Sequence, residues 1–182
     1  AKNAYDPVRD FTPIALIMKS PQVMVVNAGS PISSIKDLIA AAKASPGKLT
    51  YGTAGIGSTG HLNGELFNQA AGIHIVHIPY KGASPAMLDL LGGRISYMAT
   101  STASATQFLK EGKIKAIATS GLRRTPTLPG VPTVAESGLP GYEVASFHGF
   151  LGPAKLPREI VTRLNKEIVS ILRVPEIQLS LI

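Results

Sequence analysis

Short apolar runs rich in β-branched residues alternate with helix-period segments over the first 120 residues. That alternation confines the chain to an open, mostly parallel sheet whose strands are joined by crossover helices. Ile14 to Met18 reads as a strand, and after Pro21 the run Val23-Met24-Val25-Val26 reads as a second one. Ser34, with Asp37 three residues on, opens a helix through about Lys43, and Gly47 follows its end. Leu49-Thr50-Tyr51 predicts a strand and Ser58 or Thr59 the cap of a helix to about Ala71. Further units follow: strand Ile75–Ile78 with helix Ala86–Leu91, strand Ile95–Ala99 with helix Ser104–Glu111, then strand Ile114–Thr119. Strands this short and apolar are expected where helices cover both faces of the sheet.

The pattern changes after Gly121. Pro126, Pro129, Pro132 and Pro140, with Gly130, Gly138 and Gly141, predict an irregular connection with a brief helical turn. Tyr142 to Leu151 reads as extended. Pro157 stands at the first turn of an amphipathic helix with Ile160, Leu164, Ile168, Ile171 and Leu172 on one face, and another helix begins near Pro175. Ala1 to Tyr5 has no apolar h-region of a secretory signal, and both ends read as the inside of a longer protein. An uncovered apolar stripe on the 157–172 helix calls for a partner. If the chain exists alone, a second copy of it, or exchange of this helix between copies, is the expected cover.

Composition removes several classes of function. The chain has no cysteine, which excludes thiol catalysis, disulfides and thiolate metal sites. Its 18 Lys and Arg outnumber 11 Asp and Glu, but they are scattered, with Arg123-Arg124 the densest pair. With 5% aromatic residues and no Trp, platforms for stacking bases are scarce, so no nucleic-acid partner is expected. No run approaches the roughly 18 apolar residues of a membrane span.

The segment Gly52-Thr53-Ala54-Gly55-Ile56-Gly57-Ser58-Thr59-Gly60-His61-Leu62 carries the most chemical information. A strand ends, a glycine-rich turn follows, and a helix opens with hydroxyl residues. Glycines allow close backbone approach, and the first amides of a helix lack internal partners, so the arrangement suits an anion. The same residues also suit a simple tight turn with Ser58 as cap. The loop lacks the Gly-Lys-Ser/Thr of a phosphate-binding Walker motif. Its Gly-x-Gly-x-x-Gly has no acidic residue at the end of the next strand to hold a ribose. Two more strand-to-helix loops are candidates: Pro79-Tyr80-Lys81-Gly82-Ala83-Ser84, and Thr100-Ser101-Thr102. Lys81 either adds charge near an anion or is solvated, and the hydroxyls either bind or cap. His74 and His77, three apart on a probable strand, face opposite sides and cannot share an ion. His61 and His148 are far apart in sequence, so no metal site is expected. With no Ser/His/Asp set and no paired carboxylates, neither catalysis nor a cofactor is expected.

These motifs resemble, in order, those of the Bug proteins, the extracytoplasmic solute receptors of tripartite tricarboxylate transporters. The resemblance runs from Tyr5-Asp6-Pro7 through Gly55 to Leu62, His77-Ile78-Pro79-Tyr80-Lys81-Gly82 and Leu90-Leu91-Gly92-Gly93. It continues through Leu128-Pro129-Gly130-Val131-Pro132-Thr133 to Pro157-Arg158-Glu159. It implies a two-lobed, type II periplasmic-binding-protein-like α/β fold, a periplasmic location, a small carboxylate as ligand and membrane transporter subunits as partners. By it, residues 1–20 form a crossing strand of the first lobe, 21–125 the second lobe, and 126–182 the return connection and C-terminal helices of an incomplete first lobe. The ligand-binding residues it implies, together with the loops above, are Thr53, Gly55, Gly57, Ser58, Thr59, Tyr80, Lys81, Gly82, Thr100, Ser101 and Phe147. Thr100 and Ser101 stand where an Asp or Asn is common in the family, and the Pro-x-Gly-Gly loop of the first lobe has no counterpart here. Two other readings fit the same residues: a fragment of an enzyme acting on small carboxylates, or a ligand-sensing domain.

Overall fold

The computed structural model describes residues 5–180. The chain divides into two compact units, one comprising residues 20–146 and the other the flanking segments 1–19 and 147–182. In chain order the elements are β1 (Phe11–Asn27), α1 (Ile35–Ala44), β2 (Thr50–Thr53), α2 (Thr59–Ala71), β3 (Val76–Pro79) and α3 (Ala83–Leu91). They continue with β4 (Tyr97–Ser101), α4 (Thr102–Lys110), β5 (Ile114–Thr119), β6 (Ala145–Pro153), α5 (Arg158–Leu172) and α6 (Pro175–Ser180).

In the 20–146 unit the strand order is β3-β2-β4-β1-β5. β2 runs parallel to β3 and β4, whereas β1 is antiparallel to both β4 and β5. The expected parallel sheet is therefore interrupted by one reversed strand at an interior position. Along β1 the side chains alternate: Met24 and Val26 enter one core with Ile35, Leu38 and Phe67 of α1 and α2. Val23 and Val25 enter the other with Met87 and Leu90 of α3 and Ala105 of α4. Both faces are thus covered, which is why this segment is apolar without interruption.

Two sequence expectations are corrected. β1 is one strand of 17 residues, not two separated at Pro21. Proline's fixed φ is compatible with extended backbone, and its missing N–H matters only where a ladder bond is needed there. Residues 126–146 belong to the central unit rather than to the flanking one. Val134 N–H donates to Thr119 O at 2.9 Å, Val144 N–H donates to Ser120 O at 2.8 Å, and Tyr142 is buried in the α1/α2-side core.

In the flanking unit β6 pairs with β1. Ala154 N–H donates to Asp10 O at 3.0 Å, and the Thr12 hydroxyl donates to Pro153 O at 3.1 Å. Asn165 of α5 donates to Ile14 O at 2.7 Å. Ile160, Leu164 and Ile171 remain exposed on α5.

Candidate functional site

Three helices begin at the carboxyl ends of strands in the 20–146 unit, and each contributes to one cleft of about 250 Å³. Ser58 is the N-cap of α2, its Oγ accepting from His61 N–H at 3.3 Å and donating to Gly55 O at 2.7 Å. Ser101 is the N-cap of α4, its Oγ accepting from Ser104 N–H at 3.2 Å. Gly82 caps α3 with no side-chain bond, and Ala83 of that helix lines the cleft. The first amides of each helix have no partner four residues back, and the aligned peptide dipoles place partial positive charge there. Hydroxyls of Thr59, Thr100 and Ser146 and the amide of Gln22 complete the polar wall, with Met98 and alanines between. Among the described residues, no ionisable side chain lines the cleft. Backbone N–H groups and hydroxyls, rather than a formal cation, are what it offers an anion.

Close packing aims α2 at this cleft. A Cβ on Gly60 would stand 2.9 Å from Ala99 O, so only glycine lets the first turn of α2 meet the end of β4. Behind it, Ser146 Oγ donates to Thr59 Oγ1 at 3.2 Å.

Of the residues singled out from sequence, Ser58, Thr59, Thr100 and Ser101 line the cleft together. The others do different work. Thr53 is buried, with its Oγ1 2.7 Å from His77 Nε2 and in turn donating to Gly55 O. Gly55 and Gly57 hold φ of 131° and 81°, which shapes the turn. Tyr80 donates its hydroxyl to Asp89 Oδ2 at 2.6 Å and packs on the α3/α4-side core. Burial, with that hydrogen bond, pushes its phenol up to about 12. Lys81 is exposed beside Gly82, and neither lines the cleft. Phe147 lies in the flanking unit, 76% exposed. Gln22 and Ser146 were not legible as site residues, because they join the cleft only through long-range pairing, whereas Ser104, in the first turn of α4, reads from sequence only as a helix start.

The glycine-rich loop leans on two histidines. Gly57 N–H donates to His61 Nδ1 at 3.1 Å. The His61 and His77 rings stack at 4.1 Å, with Tyr51 on the other side of His77 at 5.0 Å. Burial first, and the neighbouring His61 second, hold His77 below the ordinary histidine value, while Glu65 opposes this. Folding therefore favours neutral His77. Its contribution is fully present above the unfolded value near 6.5 and is lost as pH falls through that value toward the lower folded one. Thermal unfolding measured from pH 8 to pH 5 should show falling stability below about 6.5, with a shallower slope in His77→Gln. An equal slope in that variant would remove His77 as the cause. Ser58→Ala should lower unfolding free energy by about 1 kcal/mol through loss of the cap, read from denaturant midpoints.

A doubly covered α/β unit with a cleft at the carboxyl ends of its strands fits a periplasmic-binding-protein-like fold. Across residues 1–182 the chain matches the family model described as tripartite tricarboxylate transporter family receptor, and it belongs to that family. It is 40% identical over 174 residues to the UPF0065 protein in the tcbD-tcbE intergenic region of Pseudomonas sp. strain P51. That alignment covers 95% of this chain and 52% of the relative. The chain thus spans about half the length of the curated relatives it matches. Among solved structures it is similar to R. palustris Rpa4515 with adipate, with TM-score 0.84 and 38% identity over 97% of this chain and 59% of that one. It is also similar to the periplasmic binding protein BugD, with TM-score 0.78 and 38% identity over 96% of this chain and 58% of that one.

Proposed function

We propose that this chain is about half of a periplasmic receptor that captures a small carboxylate and delivers it to the membrane subunits of a tripartite tricarboxylate transporter. The observation that carries this reading is the meeting of three helix N-termini and their hydroxyls on one cleft with no ionisable side chain. Such a cleft stabilises a carboxylate without neutralising it permanently, which suits capture followed by release. Each charge-assisted hydrogen bond from an amide contributes roughly 1.5–3 kcal/mol, so a few suffice for useful affinity. In this reading residues 20–146 are one lobe of the receptor and the flanking unit is part of the other. The adipate held by the R. palustris relative supports an aliphatic dicarboxylate as the ligand class.

Isothermal titration of the chain with adipate tests the proposal. Saturable binding at one site, with the acid recovered unchanged, is the expected result. Absence of saturable binding, or turnover of the acid, would overturn it.

A further inference from the structure

Gln22 is a cleft residue whose polarity is set from behind. It is 8% exposed and lies inside β1, paired with Ser101 at the end of β4, where it lines the cleft. Its backbone is locked at both groups: Gln22 N–H donates to Ser120 Oγ at 2.8 Å, and Gln22 O accepts from Ser120 N–H at 2.8 Å. Its side-chain Oε1 accepts from Asn63 Nδ2 at 3.1 Å. Asn63 is fully buried in α2, and its Oδ1 accepts from the Tyr142 hydroxyl at 2.7 Å. Tyr142 is 4% exposed, and burial pushes its phenol up, so it stays a protonated donor.

The order of donors follows from this chain of contacts. The Tyr142 hydroxyl points at two oxygens of Asn63, Oδ1 at 2.7 Å and the backbone O at 2.9 Å, which leaves the Asn63 Nδ2 donors for Gln22. Those can meet only an acceptor on Gln22, so Oε1 turns inward. The Gln22 amide nitrogen then faces the remaining direction, and its two N–H groups have no hydrogen-bond partner among the described residues. Gln22 lines the cleft, so a ligand oxygen entering there would find this donor free to bond.

Building on the carboxylate site proposed above, we infer that Gln22 is a specificity-determining residue that reads a second acceptor oxygen of the solute, with Asn63 and Tyr142 as positioning residues. One carboxylate of the ligand meets the amides of the helix starts, and the Gln22 amide donates to an oxygen farther along the molecule. Dicarboxylates and oxo- or hydroxy-acids fit this requirement. An acid carrying an ammonium at the second position does not, because donor would face donor.

Adipate and 6-aminohexanoate, matched in length and sharing one carboxylate, separate these cases in calorimetric titrations of the full chain. The wild type should bind adipate at least about tenfold more tightly than 6-aminohexanoate. Gln22→Glu keeps the acceptor that Asn63 needs but replaces the N–H groups by carboxylate oxygen, and it should reverse the preference. Tyr142→Phe frees Asn63 to turn over and should lower the adipate preference about threefold or more, a ratio that a purely structural defect common to both acids would leave unchanged. An unaltered ratio in Gln22→Glu, with both acids still bound, would overturn the role of Gln22 while leaving the carboxylate site standing. Failure of the wild type to bind either acid would overturn the site itself and this inference with it.

Discussion

Gly64→Ala should destabilise the protein by about 3 kcal/mol, a fall in midpoint temperature of roughly 6–12 °C for a chain of this size. The sign is the informative part. In an open helix the same change stabilises by about 1 kcal/mol, since glycine is the poorer helix former. Here a Cβ would stand 2.1 Å from Tyr51 Cε2 and 2.4 Å from its Cζ. Tyr51 has no room to retreat. It is fully buried, stacked against His77 at 5.0 Å and Tyr97 at 5.5 Å, with its hydroxyl donating to Glu65 Oε1 at 2.6 Å. Either α2 lifts from the sheet or the aromatic stack breaks. Tyr51→Leu in the Gly64→Ala background should recover part of the loss, a coupling that thermal unfolding of the double-mutant cycle would measure. A Gly64→Ala protein as stable as the wild type would mean that α2 packs less closely than described.

Gly60→Ala should act mainly on binding. The added methyl would press on Ala99 O at 2.9 Å, and backbone cannot give way as a flexible side chain would. The first turn of α2 would move off the end of β4 by a few tenths of an ångström, taking the Thr59 and Gly60 amides with it. Weakening two charge-assisted bonds by about 1 kcal/mol each predicts roughly thirtyfold weaker adipate binding. Calorimetric titration checks this, and unchanged affinity would place the carboxylate elsewhere.

Periodicity and local capping chemistry made most of the fold readable. Ser34 with Asp37, Ser58 before Thr59, and the apolar stripe after Pro157 are local patterns, and the structure shows helices at all three. What failed was non-local. Pro21 looked like a break because a sequence window cannot show that β1 continues through it with different neighbours on each side. The antiparallel setting of β1 was invisible for the same reason, since strand direction depends on partners 73 to 96 residues away.

The candidate site was half legible on similar grounds. Strand-to-helix loops rich in glycine and hydroxyls announce exposed amides, so Ser58, Thr59, Thr100 and Ser101 stood out. Thr53 and Tyr80 share those loops, but His77 and Asp89 claim their hydroxyls. Gln22 sits in an apolar run with nothing beside it to mark a function. The role proposed for it depends on Asn63, 41 positions on, and through Asn63 on Tyr142, a further 79 positions along.

The most direct test of the central claim follows backbone amides in ¹⁵N-labelled chain during titration with adipate. The resonances of Thr59 and Gly60 in α2 and of Thr102 and Ala103 in α4 should shift together, saturably, with one dissociation constant. Shifts confined to residues 147–180, or none in the first turns of α2 and α4, would contradict a carboxylate site at the helix starts.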